Sequence, residues 1–346
     1  MNKLLTIAVP LYKKVFLDRL DILIPQLTDE VKLVIINDNL NLDINKLIFN
    51  KYGDINSISI INNKVNLGLG TNLSNCFYYT DTKWMWLLGD DDTILENSVQ
   101  IILDKIKQTD SVLIKFSYIH DKPNGVEYTN YKNKRISGLK NFINELDINN
   151  SDFNIGTMIF MSNSVFNIEK LKPYINVTFK NSFSYAPHFA IILEYLSNNA
   201  RDSIELSKGK IVSNYYPEIE DKWTRFIVAL GILNLQYMIL NMDVKEYKKF
   251  IFVLYKFINF RFIFLELFIE GVNSEDFNKS KFIYKQLYEN GLAKTGLWKE
   301  KLLYRFLYFI MDKPKVVFKV FDILKKINPK YDINLRVKAK GFNKKI

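Results

Sequence analysis

The feature that most constrains the fold is an alternation of short apolar runs with segments that we predict to be helical. Apolar runs of this length are typical of buried strands. The predicted strands are 4–9, 31–36, 56–61 and 84–88, and the predicted helices between them are 14–26, 43–52 and 71–80. Strands that alternate with helices favour an α/β fold with a mainly parallel sheet and right-handed crossovers.

Polar residues follow three of these predicted strands directly. Asp38 comes after the second strand, and Asn66 and Gly68 come after the third. Three acids, at positions 90–92, come after the fourth. The carboxyl ends of parallel strands meet at one edge of the sheet, where open α/β sheets bind ligands. We therefore expect these groups to converge on one nucleotide.

The acids Asp90, Asp91 and Asp92, here called the acid triplet, end the run Trp-Met-Trp-Leu-Leu-Gly. Adjacent carboxylates repel each other, so the triplet is costly unless a cation lies beside it. A divalent cation takes hard oxygen ligands, and a metal with open positions can hold a diphosphate. The alternative is a solvated acidic turn that caps a helix starting near Thr93. The segment alone does not decide between the two.

Four motifs follow one another between residues 9 and 92. They are Val9-Pro10-Leu11-Tyr12, Ile36-Asn37-Asp38, Asn66-Leu67-Gly68 with Asn72, and Trp86-Leu87-Leu88-Gly89-Asp90-Asp91-Asp92. Their order and spacing resemble the family 2, GT-A fold glycosyltransferases, especially small bacterial enzymes of surface polysaccharide synthesis and their abequosyltransferase-like branch. The resemblance covers about residues 1–225. It implies an inverting enzyme that moves a sugar from a nucleotide sugar, expected to be a UDP-sugar, to a glycan acceptor.

The resemblance also implies roles for individual residues. Pro10, Tyr12 and Asp38 would face the nucleoside, and Asp90 the ribose side. Asp92, with Asp90, would hold Mn²⁺ or Mg²⁺ on the diphosphate. The rest of the implied donor-binding set is Asn66, Gly68, Asn72, Asp91 and Arg225. One departure from the family pattern is Asn39-Leu40, which stands where small residues are usual. This departure bears on selectivity for the nucleobase and the ribose of the donor.

Other enzyme classes fit less well. A Rossmann dehydrogenase carries Gly-x-Gly-x-x-Gly directly after its first strand, and this chain has Pro-Leu-Tyr-Lys-Lys there. A sugar nucleotidyltransferase would carry a loop rich in Gly, Arg and Lys at the same point. A non-enzymatic protein that binds polyanions remains an alternative of a different class. Such a scaffold has no need of three repelling carboxylates at a ligand-binding edge.

The middle of the chain is expected to bind the acceptor. We predict strands at 111–117 and 155–161, with Ser162 or Asn163 capping a short helix after the second. A hairpin is predicted near Asn124-Gly125, a loop over 173–185, and a helix from about Pro187.

Inverting transfer needs a base that takes the proton of the acceptor hydroxyl. His188 stands where related enzymes place an acid, and an imidazole can serve at neutral pH. The alternative is a histidine that packs or caps at the start of its helix. Asp152 is a second candidate base. Arg225 is a candidate partner of the diphosphate, although a surface arginine is the default interpretation.

The last third of the chain is predicted to be helical, with the domain boundary between 222 and 223. The predicted helices are 224–241, 244–270, 275–291, 297–311 and 313–327. The apolar run 250–268 contains Lys256, Arg261 and Glu266, which argue against a membrane-spanning helix.

Positive charge is concentrated at the C-terminus. Residues 301–346 contain thirteen Lys or Arg and three Asp or Glu, a net charge of +10, against +11 for the whole chain. The segment 313–327 interleaves lysines with apolar residues and suits an anionic membrane surface. A nucleic-acid patch, which we consider unlikely, and a solvated face are the alternatives. A single cysteine, Cys76, fits a reducing compartment. With no secretory signal at Met1–Lys3, we expect a cytoplasmic protein, peripheral on the inner face of a bacterial membrane.

Overall fold

The computed structural model describes residues 3–122, 125–146, 153–215, 230–258, 277–290, 292–294 and 298–310. Within these residues ten strands form one sheet. The strands are β1 (Leu5–Leu11), β2 (Val31–Asn37), β3 (Ile58–Asn62), β4 (Trp84–Leu87), β5 (Thr93–Ile94), β6 (Leu113–Lys122), β7 (Gly125–Thr129), β8 (Lys134–Ser137), β9 (Ser164–Asn167) and β10 (Ser203–Tyr215).

Twelve α-helices have assigned bounds within the described residues. They are α1 (Phe16–Leu23), α2 (Ile44–Tyr52), α3 (Leu69–Tyr78), α4 (Ser98–Ile106), α5 (Leu139–Glu145), α6 (Ile155–Ile159), α7 (Ile168–Leu171), α8 (Ile175–Lys180), α9 (Pro187–Asn198), α10 (Val244–Ile258), α11 (Phe277–Asn290) and α12 (Trp298–Ile310). Short 3₁₀ turns occur at Ile24–Gln26, Lys172–Tyr174, Asn234–Tyr237 and Leu292–Lys294.

The predicted α/β fold is confirmed, with β1 to β4 as its parallel core. The strand order is β3-β2-β1-β4-β9-β6-β10-β5, with β7 beside β6 and β8 beside β10. β1 pairs in parallel with both β2 and β4, and β2 pairs in parallel with β3. Every residue of β1 is buried, as expected of a central strand covered on both faces. The carboxyl ends of these strands therefore share one edge of the sheet.

The second half of the sheet contains antiparallel strands. β9 lies between β4 and β6 and is antiparallel to both. β6 continues into β7 as an antiparallel pair, which confirms the predicted hairpin, although Asn124 lies outside the described residues. β10 pairs in parallel with β6 and antiparallel with β5 and β8. The sheet is thus parallel on the side of β1 and mixed on the side of β6.

Two local predictions between residues 93 and 167 are wrong. The run 155–161, predicted to be a strand, contains helix α6, which Asn154 and Thr157 begin with a reciprocal capping box. Strand β9 starts two residues after Ser162, where we predicted a helix cap. A short apolar run cannot by itself be assigned to strand or helix.

The helix expected near Thr93 does not begin there. Thr93–Ile94 pairs with β10, and α4 begins at Ser98 after Asn97, which has a φ of 61°. The expected loop at 173–185 contains α8. The predicted helix start at Pro187 is confirmed.

The chain divides into two compact units. The first is Met1–Asp221 with Asn234–Val253, and the second is Lys222–Leu233 with Leu254–Ile346. In the second unit, Tyr288 of α11 stacks on Tyr304 of α12 with ring centroids 3.8 Å apart. The described helices α10, α11 and α12 fall inside predicted helical segments. The predicted boundary at 222/223 and the segment 313–327 lie outside the described residues. Among the described helices, none has the length and apolar content needed to cross a bilayer.

Candidate active site

Asp38 organises the edge of the sheet at the end of β2. Its side chain is buried. Oδ1 accepts hydrogen bonds from the backbone N–H of Leu67 at 2.8 Å and from Nδ2 of Asn63 at 2.9 Å. Oδ2 accepts from the backbone N–H of Gly68 at 2.9 Å. Asp38 therefore fixes the loop that follows β3.

Asn66, Gly68 and Asn72 belong to the same loop and the start of α3. Oδ1 of Asn66 accepts from the N–H of Gly68 at 2.9 Å. The buried Asn72 donates from Nδ2 to the carbonyl of Ile36 at 3.0 Å, and its Oδ1 accepts from Nδ2 of Asn63 at 3.1 Å. The structure thus brings these three predicted residues together with Asp38.

Asp90 connects the end of β4 to the loop after β1. Its Oδ2 accepts from the backbone N–H of Tyr12 at 2.7 Å and of Lys13 at 2.5 Å. Burial raises the pKa of Asp90, although the two backbone amides favour its charged form. The carbonyl of Tyr12 in turn accepts from Nδ2 of Asn39 at 2.8 Å. One stretch of backbone, at residues 12–13, therefore lies between the residues around Asp38 and the acid triplet.

Asp91 forms an ion pair that the sequence did not reveal. Nζ of Lys13 lies 2.5 Å from its Oδ2, and both side chains are exposed. Lys13 directly follows the motif that ends at Tyr12, and that proximity is its one sequence signal. The ion pair places a positive charge beside the acid triplet.

Asp92 is held by Ser162, which precedes β9, the strand beside β4. Its side chain is 5% exposed, and its Oδ2 accepts a short hydrogen bond from Oγ of Ser162. The same Oγ accepts from the N–H of Gly89 at 2.8 Å. A Cβ on Gly89 would lie 2.9 Å from Oδ2 of Asp92, so a side chain there would displace this carboxylate. Burial, and then the charge of Asp91, raise the pKa of Asp92 to about 7.

The three carboxylates of the acid triplet have three different partners. Asp90 bonds to backbone amides, Asp91 to a lysine and Asp92 to a serine. The described residues contain no group of three or more His, Cys, Asp or Glu side chains arranged to hold a metal alone. Mg²⁺ commonly takes one or two carboxylates together with substrate phosphates. In the described residues the Asp92 side chain accepts one hydrogen bond, at Oδ2, so Asp92 fits a metal site that is completed by substrate phosphates.

His188 has surroundings that disfavour the predicted base role. It lies in the first turn of α9, its side chain is 2% exposed, and Nε2 donates to the carbonyl of Ile159 at 3.0 Å. Burial, together with the positive charge of Lys115, lowers the pKa of His188 to about 3. A buried imidazole that binds a helix carbonyl is the packing alternative raised above.

Lys115 holds the same helix end as His188. The fully buried Nζ donates to the carbonyl of Phe160 at 2.7 Å and to Oγ of Ser164 at 2.8 Å. Burial lowers the pKa of Lys115 well below its ordinary value. Carbonyls at the C-terminal end of a helix attract such donors. Lys115 and His188 therefore fix the end of α6, two to three residues before Ser162 reaches Asp92.

Two predicted site residues, Asp152 and Arg225, lie outside the described residues. Their roles as base and diphosphate partner stay predictions. Pro10 is buried within β1, and Tyr12, which follows β1, is 54% exposed. Both lie at the edge that carries Asp38 and Asp90.

A cavity of about 800 Å³ lies away from this edge. Tyr78, Lys83, Glu169 and Phe179 are among its lining residues. Lys83 directly precedes β4, whereas Asp90 follows it. The cavity and the acid triplet therefore lie at opposite ends of that strand, and the cavity is not part of the candidate active site.

Comparison with known proteins agrees with this architecture. Residues 6–172 match the sequence profile described as Glycosyl transferase family 2. No curated protein shows significant similarity to the chain.

Crystal structures of S. aureus TarS residues 1–349 are similar in fold. One is 15% identical, with a TM-score of 0.52 over 92% of this chain and 91% of that chain. A complex of TarS with UDP-GlcNAc is 14% identical, with a TM-score of 0.52 over 96% and 83% of the two chains. A complex with UDP is 14% identical, with a TM-score of 0.53 over 92% and 91%. The fold is therefore the GT-A fold, and residues 6–172 of this chain are similar in sequence to Glycosyl transferase family 2.

Proposed function

We propose that this protein is an inverting, metal-dependent glycosyltransferase that moves a sugar from a UDP-sugar to a glycan acceptor. The observation that carries the proposal is the edge where Asp38 and Asp90 lie on either side of the backbone at residues 12–13. Two buried carboxylates at the carboxyl ends of parallel strands are placed to meet a nucleotide. The similarity to TarS, which has been solved with UDP and with UDP-GlcNAc, supports a uridine nucleotide as donor.

The donor would bind along this edge. Pro10, Tyr12 and Asp38 would contact the nucleoside, and Asp90 would hold the backbone beside the ribose. Asp92, with Asp90, would hold Mn²⁺ or Mg²⁺ against the diphosphate. When bound, such an ion stabilises the negative charge of the departing diphosphate. Arg225 is proposed as a further partner of that diphosphate.

The acceptor would approach from the side of α6. A base takes the proton of the acceptor hydroxyl. At the same time the hydroxyl oxygen bonds to C1 of the sugar, and the bond from C1 to UDP breaks. Because His188 is buried and bonded to a backbone carbonyl, we propose Asp152 as the base. We infer an acceptor that is a lipid-linked or lipooligosaccharide glycan of bacterial surface polysaccharide or capsule. The protein would reach it as a peripheral protein on the inner face of the cytoplasmic membrane, with the basic segment 313–327 as one anchor.

The test is sugar transfer by the full chain. Single radiolabelled UDP-sugars are supplied with Mn²⁺ and a lipid extract from a polysaccharide-producing bacterium, and both labelled lipid and released UDP are measured. We expect one donor to react, and we expect both EDTA and Asp92→Ala to abolish the reaction. Asp81→Asn is the matched control, because Asp81 is an exposed carboxylate that precedes β4 at the opposite edge. Full activity of Asp92→Ala in EDTA would reject the role of the metal. If none of the donors releases UDP, the proposed function is wrong.

A further inference from the structure

Helix α10 has a buried face and an exposed face of different chemistry. Phe250, Leu254 and Ile258 recur every fourth residue and are buried. Phe252 is 67% exposed. At about 100° per residue, Phe252 points almost directly away from the buried stripe. The exposed side of the helix is thus centred on a phenylalanine.

Three lysines surround Phe252 on that exposed side. Lys245, Lys248 and Lys249 are all exposed. By the same helical geometry they lie on both flanks of Phe252. In the described part of the chain, none of the three has a carboxylate within ion-pair distance. Lys51 on α2 provides a contrast, because its Nζ lies 2.7 Å from Oδ2 of Asp21. The α10 lysines therefore keep their charge available for a partner.

Two aliphatic side chains close to these lysines in sequence are also exposed. Val244, at the first residue of α10, is 66% exposed, and Ile239, in the stretch before the helix, is 63% exposed. A single exposed apolar side chain is ordinary on a protein surface. This stretch of fourteen residues therefore exposes three large apolar side chains and three lysines that have no carboxylate within ion-pair distance in the described residues.

We propose that this surface, the α10 face, docks onto an anionic lipid bilayer. The α10 face consists of Ile239, Val244, Lys245, Lys248, Lys249 and Phe252. Apolar side chains that enter the boundary between headgroups and acyl chains, with lysines that reach anionic headgroups, are the features of an interfacial helix. A nucleic acid would pair with the lysines but offers little to the valine and isoleucine. The α10 face is separate in sequence from the basic segment 313–327.

The inference rests on the proposed function only in its choice of a membrane-linked acceptor. Docking by the α10 face would place the protein where such an acceptor lies. Its test does not use sugar transfer, so failure of docking and failure of the enzymatic proposal are distinguishable.

The first experiment measures binding of the full chain to vesicles of phosphatidylglycerol and phosphatidylcholine at low salt. The triple variant Lys245→Gln, Lys248→Gln, Lys249→Gln should bind about tenfold more weakly or worse. The matched control is Lys46→Gln, Lys140→Gln, Lys180→Gln, which removes three exposed lysines from α2, α5 and α8. The control should keep most of the affinity. Equal affinities of the two triple variants would overturn the proposal.

The second experiment reports on position 252 itself, so binding by another segment cannot mask the result. Phe252→Cys is labelled with an environment-sensitive dye, and labelling is selective because Cys76 is buried. The dye should shift to the blue with phosphatidylglycerol vesicles and not with phosphatidylcholine alone. Phe49→Cys is the control, since Phe49 is 63% exposed on α2. No shift at 252 while the protein sediments with vesicles would overturn the proposal. A shift with duplex DNA and none with vesicles would overturn it in favour of a nucleic acid.

Discussion

The edge that carries Asp38 and Asp90, here called the donor edge, and the segment 153–164, here called the acceptor-side segment, are stabilised differently. At the donor edge, each carboxylate bonds to backbone amides of a neighbouring loop. In the acceptor-side segment, backbone carbonyls bond to Lys115 and His188, which come from distant parts of the chain. The first pattern follows from residues placed at strand ends, whereas the second depends on packing between elements far apart in sequence. Ser162 is where the two regions meet, through its hydrogen bond to Asp92.

The largest effect is expected where α3, which leaves the donor edge, touches the loop after α8. A Cβ on Gly70 would lie 1.8 Å from the carbonyl oxygen of Ser182, a backbone atom that cannot move alone. Gly70→Ala should therefore lower the free energy of unfolding by about 3 kcal/mol or more, measured by urea denaturation.

Gly53→Ala is the matched control for that clash. Gly53 has φ 74° and ψ −157°, a backbone region essentially confined to glycine, and no atom within 4 Å of an added Cβ, so backbone strain of about 1–3 kcal/mol without a clash is expected. If Gly70→Ala costs no more than Gly53→Ala, the close contact of α3 with the loop is wrong.

A smaller loss of stability should follow from removing the Asp38 carboxylate from the donor edge. Asp38→Ala removes the acceptor of the Leu67 N–H and one of two acceptors of the Gly68 N–H and of Nδ2 of Asn63. The free energy of unfolding should fall by about 2 kcal/mol, since a hydrogen bond to a charged group contributes about 1.5–3 kcal/mol and two of the three donors keep a second acceptor. Asp38→Asn keeps one oxygen and should lose about half as much. Urea curves for Asp38→Ala that coincide with the wild type would show that the carboxylate does not hold the loop.

His188, which bonds to the acceptor-side segment, should make the stability of the protein depend on pH. The folded protein keeps His188 neutral down to its pKa of about 3, whereas the unfolded chain binds a proton below about pH 6.5. The stability contribution is complete above pH 6.5 and is lost as the pH falls toward 3. The slope reaches about 1.4 kcal/mol per pH unit.

His188→Gln keeps a donor for the carbonyl of Ile159 and removes the titration. The variant should lose less stability than the wild type between pH 6.5 and pH 4.5, measured by urea denaturation at each pH. Parallel stability curves for the two proteins would mean that His188 is accessible and titrates normally.

The same contrast explains what the sequence could predict. The four strands of the donor edge were located within two residues at either end, because each is an apolar run that stops at polar or turn residues. Asp38, Gly68 and Asp90 were assigned to one edge because parallel strands end together. Their dense bonding to the backbone could not be predicted, because it depends on loop conformation.

The acceptor-side segment was misassigned for a physical reason. Its apolar run is as compatible with a strand as with a helix, and the capping residue Asn154 gives only a local signal. Lys115 looked like an ordinary residue of a strand, and its fully buried Nζ depends on carbonyls more than forty residues away. Ser162 has its partner Asp92 seventy residues earlier in the chain. Such contacts leave no periodic pattern in the sequence.

The measurement that tests the account most directly is calorimetric titration of UDP into the full chain with Mn²⁺ present. We expect the wild type and the control Asp81→Asn to bind UDP. We expect Asp92→Asn to bind UDP at least tenfold more weakly and without a requirement for Mn²⁺. Binding of UDP by Asp92→Asn with unchanged affinity and unchanged dependence on Mn²⁺ would contradict it, as would a wild type that does not bind UDP.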